Sequence, residues 1–370
     1  MARAVMEGLP MYEEITAVEL ATRLGTSDEP FLLDVREPDE VAAWAIPGVV
    51  NIPLGDLGHR LGEIPADRHV VVVCASGNRS ASATAALIGT GYRASNLTGG
   101  MAAWGHVYDT ALLELDGARV VQVRRRAKGC LSYLVGAGDE AFVVDPSIDI
   151  DVYLGVAEQH GWRVTRVFDT HLHADHLSGA RDLARTVGAV LHLNPADSFE
   201  FAFEPLLDGD RFVLPGGAEL SVAALHTPGH TEGSTIYFVG AAVLTGDTLF
   251  VDGVGRPDLA ERAEEFARNL HRSLRDKVLL LPDEVTVLPA HYSDEVTVRP
   301  GEPVGASLGD LRATVDPLNM DEQAFVAWAV ARTTDRPPNY VSIIGANMGR
   351  SDVPPSMLHY LEAGPNRCSA

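Results

Sequence analysis

The chain has 370 residues, a formal net charge of −22 and a hydrophobic content of 46%. That hydrophobic content excludes an intrinsically disordered protein, and the length predicts two domains. The negative charge argues against nucleic acid and anionic membranes as partners, because it would repel their phosphates. No apolar run approaches the roughly 20 residues that span a bilayer, and the first residues carry no secretion signal. Three sparse cysteines fit a reducing compartment, so we expect a cytoplasmic protein.

Residues 14–108 show the pattern of alternating short strands and helices. The segments 31–35 and 70–74 predict strands, and the second is apolar on both faces, as in a buried parallel strand. An alanine-rich helix is predicted over 80–87. The alternation indicates a small α/β domain with helices on both faces of its sheet.

A different pattern follows, and we place the domain boundary near 110–118. A second domain is predicted over 118–305, with a C-terminal helical extension, 306–370, that packs on it. The predicted strands are 130–135, 141–144, 164–169, 189–193, 220–225, 235–239, 241–245 and 285–288, and the predicted helices are 151–160, 177–186 and 321–332. This order indicates two sheets between layers of helices.

Potential metal ligands come directly after several of these strands. One polar run follows the strand at 164–169 and contains His171, His173, Asp175 and His176. Further ligand-type residues follow the later strands, namely His230, Asp247 and His291. A surface loop of solvated polar residues is the simpler interpretation of any one of them. Together they predict a metal site, since loops at strand ends hold ligands on a rigid frame.

The motifs HLHADH (171–176), TPGHT (227–231), TGD (245–247) and PAH (289–291) resemble, in that order, those of the metallo-β-lactamase superfamily. The resemblance covers about residues 118–300 and implies an αββα sandwich with its site at one edge of the two sheets. The persulfide dioxygenase branch is the most similar. Its single non-haem Fe(II) implies His171, His230 and Asp247 as the iron ligands here. Such a set leaves open positions where a sulfur substrate and O₂ can bind side by side.

The remaining ligand-type residues do not decide which metal binds or how many ions the site holds. His173, Asp175, His176 and His291 could complete a site for one or two zinc ions, as in glyoxalase II, or they could surround the iron ligands. The same resemblance implies that Arg256, in a Gly-Arg-Pro-Asp segment, and Asn347, in a C-terminal loop over 343–348, bind substrate. A surface salt bridge is an equal alternative for Arg256.

Cys74 ends the predicted strand at 70–74 and begins a six-residue run, Cys74 to Arg79, before a helix. A lone cysteine after four valines is by default an inert core thiol. Here the helix N-terminus and the Arg79 cation favour a thiolate, which marks both residues as catalytic candidates. Cys130, at the head of an apolar strand, and Cys368 are not candidate nucleophiles.

The run that begins at Cys74, together with LDVRE (33–37), IPG (46–48) and GGMAAW (99–104), resembles a rhodanese domain, the sulfurtransferase fold, over residues 14–108. The two resemblances together predict a persulfide dioxygenase that oxidises a low-molecular-weight thiol persulfide, such as glutathione persulfide, to sulfite. Cys74 would carry sulfane sulfur, either to the iron site or to sulfite, making thiosulfate.

Two alternatives stay open: a dinuclear zinc thioesterase of the glyoxalase II type with an accessory rhodanese, and a sulfur-carrier or persulfide-sensing module. The expected partners are the thiol persulfide, O₂ and sulfite or thiosulfate, without nucleic acid or membrane. The oligomeric state is open, with a homodimer as one option.

Overall fold

A computed structural model of the chain describes residues 12–214, 221–258, 262–293, 296–332, 336, 339–354, 357–358, 361 and 364. The chain forms two units, the first ending at Val107 and the second beginning at Tyr108. Within the described ranges, no helix is long and apolar enough to cross a membrane. Cys368 and most of the N-terminal segment in which no secretion signal was found lie outside these ranges.

The first unit is built on a parallel sheet with the strand order β1-β5-β4-β2-β3. Its elements are β1 (Glu13–Ile15), α1 (Ala17–Arg23), β2 (Phe31–Asp34), α2 (Pro38–Ala43), β3 (Val50–Asn51), β4 (Val70–Val73), α3 (Asn78–Gly89), β5 (Ala94–Leu97) and α4 (Gly100–Trp104). Strand β4 consists of four fully buried valines, because it lies at the centre of the sheet. Its last residue therefore delivers Cys74 to the sheet edge where α3 begins.

The described part of the second unit contains two sheets. The first has the order β12-β11-β10-β9-β8-β7-β6 and is formed by β6 (Tyr108–Leu115), β7 (Ala118–Arg125), β8 (Cys130–Ala137), β9 (Glu140–Val144), β10 (Arg163–Phe168), β11 (Val190–Leu193) and β12 (Glu204–Pro205). The second has the order β13-β14-β15-β16-β17-β18 and is formed by β13 (Arg211–Val213), β14 (Ser221–His226), β15 (Thr235–Val239), β16 (Ala242–Gly246), β17 (Thr286–Pro289) and β18 (Ala306–Ser307).

Helices cover the outer faces of both sheets. They are α5 (Ile150–His160), α6 (Ala180–Val187), α7 (Ala263–Asp276), α8 (Leu308–Thr314) and α9 (Glu322–Ala331), whereas α10 (Tyr340–Asn347) contributes Ile343 to a separate cluster with Leu177. Phe142 of the first sheet and Leu244 of the second belong to one buried cluster between the sheets. A second cluster joins the first sheet to α5 and α6, and a third joins the second sheet to α7, α8 and α9. The layers are therefore helix, sheet, sheet, helix.

Three differences between the structure and the sequence-based elements affect the domain boundary or the surroundings of the predicted site. Residues 108–125, which include the expected boundary, form the antiparallel hairpin of β6 and β7. The helix expected from residue 177 begins at Ala180, because the Ser178 hydroxyl accepts a hydrogen bond from the Ala180 amide and donates one to Asp169. The segment 343–348, expected as a loop, lies mostly in α10.

Candidate functional site

His171, His230 and Asp247 converge in the second unit, each from a different loop. His171 follows β10, His230 lies between β14 and β15, and Asp247 follows β16. Oδ2 of Asp247 lies 3.6 Å from Nε2 of His171 and 3.4 Å from Nε2 of His230. All three side chains are buried, and they form one group of potential metal ligands.

The donor atoms of this group fit a metal ion. His171 Nε2, His230 Nε2 and Asp247 Oδ2 are buried, and none has a hydrogen-bond partner among the described residues. A metal about 2.1 Å from each atom would separate neighbouring ligand atoms by roughly 3.0–3.4 Å, close to the distances found. Burial lowers the pKa of both imidazoles, well below the ordinary value for His171, and so keeps them in the neutral form that binds metals.

Hydrogen bonds on the far side of each ring select the tautomer. The Thr170 hydroxyl donates to Oδ2 of Asp145 at 2.9 Å, so its oxygen accepts from Nδ1 of His171 at 2.8 Å. The carbonyl oxygen of Arg256 lies 2.9 Å from Nδ1 of His230 and can only accept. Both Nε2 atoms therefore present lone pairs toward Asp247, as metal-ligating histidines do.

His173 belongs to a different group, with Asp145 and Asp169. Its Nε2 lies 3.2 Å from Oδ1 of Asp145 and 3.7 Å from Oδ1 of Asp169. Burial opposes a charge here, yet the hydrogen bonds to both carboxylates raise the pKa of His173 well above its ordinary value. Its ring stays close to that of His171, with 4.3 Å between centroids, and its Nδ1 has no hydrogen-bond partner in the described part of the chain.

Asp197 joins the loops of two potential ligands. Its carboxylate accepts hydrogen bonds from the backbone of Leu172 at 2.9 Å and of Gly233 at 2.8 Å, and from the Thr231 hydroxyl at 2.9 Å. The side chain is buried, so these donors replace water. The sequence did not single out Asp197, because nothing in its local segment distinguishes it from a surface turn residue.

Asp175, His176 and His291 form a neighbouring group, and the structure adds Cys130 to it. Nε2 of His291 lies 2.9 Å from Oδ2 of Asp175, and Nδ1 of His176 lies 3.1 Å from Oδ1 of Asp175. The Cys130 thiol lies 3.6 Å from Oδ2 of Asp175. Burial and Asp175 oppose the thiolate, but His291 and His176 lower the pKa of Cys130 to about 7. Nδ1 of His291 also lies 2.6 Å from Oδ1 of Asp247, which connects the two groups.

Arg256 and Asn347, the two residues expected to bind substrate, both use their side chains in hydrogen bonds to other groups of the protein. The Arg256 guanidinium is buried and binds Asp258 through two hydrogen bonds of 2.7 and 2.8 Å, so this ion pair is not the surface one considered from the sequence. The Asn347 side chain accepts from the Ser178 amide at 3.0 Å and donates to the carbonyls of His173 and His176 at 2.9 Å. Asn347 thus stabilises the backbone of the loop that carries His173 and His176.

In the first unit, Cys74 lies in a buried loop before α3. Its Sγ accepts hydrogen bonds from the Gly77 amide and the Ser80 hydroxyl, both at 3.2 Å. Burial raises the pKa of the thiol, but hydrogen bonds from Ser80, Ser76 and Gly77 outweigh this and lower it. Arg79 directs its guanidinium to Glu40, with two hydrogen bonds of 2.7 Å, and not to the sulfur.

Comparison with known proteins agrees with both folds. Residues 125–291 match the metallo-beta-lactamase superfamily and residues 16–106 match the rhodanese-like domain. The cytoplasmic hydroxyacylglutathione hydrolase of Arabidopsis thaliana is 33% identical over 54% of this chain and 73% of its own length. The chain belongs to the metallo-beta-lactamase superfamily. It also carries an N-terminal rhodanese-like domain, so the fold predicted from the sequence is confirmed.

Two solved structures show the same superfamily fold. A metallo-beta-lactamase from Staphylococcus aureus has a TM-score of 0.57 and 24% identity, covering 65% of this chain and 74% of that one. ETHE1 from Myxococcus xanthus has a TM-score of 0.52 and 23% identity, covering 66% of this chain and all of that one. This superfamily membership and the buried donor groups indicate an enzyme with a metal cofactor.

Proposed function

We propose that this superfamily member is a persulfide dioxygenase acting on a low-molecular-weight thiol persulfide such as glutathione persulfide. The outer sulfur of the persulfide is oxidised to sulfite, O₂ is reduced, water supplies the third oxygen, and the free thiol is released. The observation that carries the proposal is the buried group of His171, His230 and Asp247. Two histidines and one carboxylate are the ligand set of non-haem iron oxygenases, whose remaining positions stay open.

The chain's own residues prepare that group for one metal ion. When bound, ferrous iron would supply electrons to O₂, which zinc cannot do. Thr170 and the carbonyl of Arg256 hold the Nδ1 protons of the two histidines. The contact between Oδ1 of Asp247 and His291 orients the carboxylate and leaves Oδ2 for the metal. These contacts fix the ligand atoms before the metal arrives, which lowers the cost of binding it.

Cys74 would carry sulfane sulfur in the first unit. Its thiolate attacks the sulfane sulfur of a donor, the donor's thiolate leaves, and a cysteine persulfide remains. The hydrogen bonds from Gly77 and Ser80 support this role because they stabilise the anionic sulfur. Attack of sulfite on that persulfide would give thiosulfate and restore the thiolate. Transfer to a free thiol would instead supply substrate to the metal site.

A second candidate function is a zinc-dependent thioesterase. Relatives of 30–38% identity carry the name hydroxyacylglutathione hydrolase. Asp175, His176 and His291 lie beside the first ligand group, where a second ion could bind. In that case the expected reaction is hydrolysis of a glutathione thioester by a water activated between two zinc ions.

Metal analysis combined with an oxygen electrode separates the two functions. Full-length protein from cells grown without metal supplementation should contain iron, one ion per chain in the first group, and should consume O₂ only when a thiol persulfide is added. Zinc in place of iron, with thioester hydrolysis and no persulfide-dependent O₂ uptake, would favour the thioesterase. Thiosulfate:cyanide transfer that survives in Cys74→Ser would refute the role of Cys74.

The remaining expectations are part of the same proposal. The small-molecule partners are the persulfide, O₂ and sulfite or thiosulfate, and neither nucleic acid nor membrane is a partner. We expect a cytoplasmic location, because three sparse cysteines fit a reducing compartment. Gel filtration with light scattering would test the homodimer.

A further inference from the structure

The loop from Cys74 to Arg79 has one basic residue, Arg79. Its guanidinium makes two hydrogen bonds of 2.7 Å, one to each carboxylate oxygen of Glu40 in α2. The side chains of Arg79 and Glu40 are 35% and 33% exposed, so an anion from solvent can reach the pair. Two parallel hydrogen bonds are the strongest way in which arginine binds a carboxylate. The cation of the loop is therefore already bound by a group of the protein.

Glu40 is held in place from its own helix as well. The Glu37 amide donates a hydrogen bond of 3.0 Å to Oε2 of Glu40, as part of a capping box at the start of α2. The hydrogen bonds from Arg79, and to a smaller extent the one from Glu37, lower the pKa of Glu40 to about 2 despite its partial burial. Glu40 is therefore ionised at neutral pH and keeps Arg79 as its partner.

A second arginine at the same sheet edge is also paired. Asp34, at the end of β2, lies beside Val73, the residue before Cys74. The Arg36 guanidinium lies 2.7 Å from Oδ2 of Asp34 and donates to the Trp44 carbonyl at 2.7 Å. The two arginines and the two acids have formal charges that cancel. These two ion pairs therefore give the surroundings of Cys74 no net positive charge.

The groups that contact the Cys74 sulfur are uncharged. The Gly77 amide and the Ser80 hydroxyl both donate to Sγ at 3.2 Å. Such dipoles stabilise one negative charge on sulfur, but thiosulfate and sulfite would each bring two more. Oxyanions of this kind are ordinarily bound by guanidinium groups. To bind here, they would have to displace Glu40 from Arg79. A thiol or a persulfide has only its sulfur to accommodate, and the carboxylates of glutathione lie several bonds away from that sulfur.

We propose that Glu40 restricts the Cys74 loop to thiol and persulfide partners, because it holds Arg79 away from the sulfur oxyanions thiosulfate and sulfite. The inference rests on the proposed role of Cys74 as a carrier of sulfane sulfur. The Cys74 thiolate attacks the outer sulfur of a persulfide, that sulfur moves with any proton it carries, and the donor leaves as a thiolate. An acceptor thiolate then attacks the outer sulfur of the Cys74 persulfide and releases the Cys74 thiolate. Both steps are exchanges without net oxidation or reduction.

Kinetics with two sulfur donors test this role of Glu40. The full-length protein is assayed for thiocyanate formation from cyanide, with thiosulfate or glutathione persulfide as the donor, after subtraction of the uncatalysed reaction. Glu40→Gln removes the charge, and its side-chain oxygen can still accept from the Glu37 amide. We expect kcat/KM for thiosulfate to rise about tenfold, mainly through a lower KM, as one charge-assisted hydrogen bond from Arg79 would give. Transfer from glutathione persulfide should change far less.

Two further variants control for charge and for Arg79. Asp39→Asn removes the same charge from an exposed neighbouring position of α2 and should leave the KM for thiosulfate unchanged. The double variant Glu40→Gln with Arg79→Gln should lose the gain, because the freed guanidinium is then absent. An unchanged KM for thiosulfate in Glu40→Gln would overturn the proposal, and so would an equal gain in Asp39→Asn.

A measurement on the wild-type chain does not depend on how the variants fold. Iodoacetate and iodoacetamide alkylate the same thiolate, but only iodoacetate is an anion. The ratio of their rates at Cys74, read by mass spectrometry, should not exceed the ratio for free cysteine, because Arg79 is held by Glu40. A clearly higher ratio would show that Arg79 binds anions beside the sulfur and would contradict the proposal.

The proposed function fails on different results. If neither donor converts Cys74 of the wild-type chain to a persulfide, the carrier role of Cys74 is refuted and this inference with it. Persulfide-dependent O₂ uptake belongs to the metal site of the second unit. Its failure in a protein whose Cys74 accepts sulfur from glutathione persulfide would remove the dioxygenase alone.

Discussion

The Thr170 hydroxyl lies 2.8 Å from Nδ1 of His171, the next residue in the chain, and donates a hydrogen bond to Oδ2 of Asp145. This contact fixes the ring of a potential metal ligand through a single oxygen atom. Asp145 holds that oxygen from a left-handed backbone conformation, φ 53°, which is unusual for a residue other than glycine.

Replacing Thr170 by valine keeps the shape of the side chain and removes the acceptor for His171. We expect the affinity for iron or zinc to fall by about 10–100-fold, as for other residues that orient metal-ligating histidines. Competition titration with a chromophoric chelator measures the affinity. Thr170→Ser, which keeps the hydroxyl, should stay close to wild type, and equal affinities in all three proteins would contradict the role of the hydroxyl.

Asn347→Ala tests whether this residue supports the ligand loop or binds substrate. The change removes three hydrogen bonds to backbone groups of Ser178, His173 and His176. We expect the free energy of unfolding to fall by roughly 1–3 kcal/mol in urea titrations. We also expect weaker metal binding, with little change in the KM for persulfide at full metal loading. A raised KM with unchanged metal affinity would instead support the substrate contact expected from the sequence.

Gly229 precedes the potential ligand His230 and has a φ of +152°. A Cβ at this position would lie 2.4 Å from Cα of Leu270 in α7, a backbone atom of a helix that packs on the sheet. Gly229→Ala should therefore lower the free energy of unfolding by about 3 kcal/mol or more, measured in urea. The matched control is Gly155→Ala on the exposed side of α5, which has open space around it. That variant should gain about 0.5–1 kcal/mol, and similar losses in both would contradict the close contact.

Ser80→Ala tests the thiolate of Cys74. The hydroxyl donates to Sγ, so its loss raises the pKa of Cys74 and reduces the thiolate fraction near neutral pH. The pH profile of alkylation at Cys74 should shift to higher pH, with slower alkylation at neutral pH. Ser76 acts on Cys74 through its backbone, so Ser76→Ala should leave the profile unchanged. Two identical profiles for Ser80→Ala and wild type would rule out the hydroxyl as a source of activation.

Local pattern was sufficient for much of the fold. Strand β4 and strand β9 are predictable because continuous apolar residues mark strands covered on both faces. The hairpin of β6 and β7 was missed because β7 ends in Arg124 and Arg125, and charged residues do not mark a buried strand. In the folded chain Arg124 binds Asp109 and the carbonyls of Arg299 and Glu302. Partners more than 170 residues away cannot be read from a local window.

The candidate site, like the fold, could be predicted only in part from the local sequence. The histidine and aspartate ligand candidates were visible because they follow strands, whereas Cys130 and the groups that orient the ligands were not. Thr170 carried a signal that was overlooked, namely a hydroxyl residue directly before the first histidine. Cys130 was interpreted as a core thiol because it begins an apolar strand. The structure pairs it with His291 in a bridge and places its thiol beside Asp175. Pairing between distant segments decides such contacts.

His171 follows a strand of the first sheet of the second unit, whereas His230 and Asp247 belong to loops of the second sheet. A metal ion bound to all three would therefore act as a cross-link between the two halves of the sandwich. Its binding free energy would add to the global stability of that unit, because neither half alone offers the full ligand set. Removal of the metal should first increase the rate of amide hydrogen exchange along the strands that end at these loops, before either half unfolds.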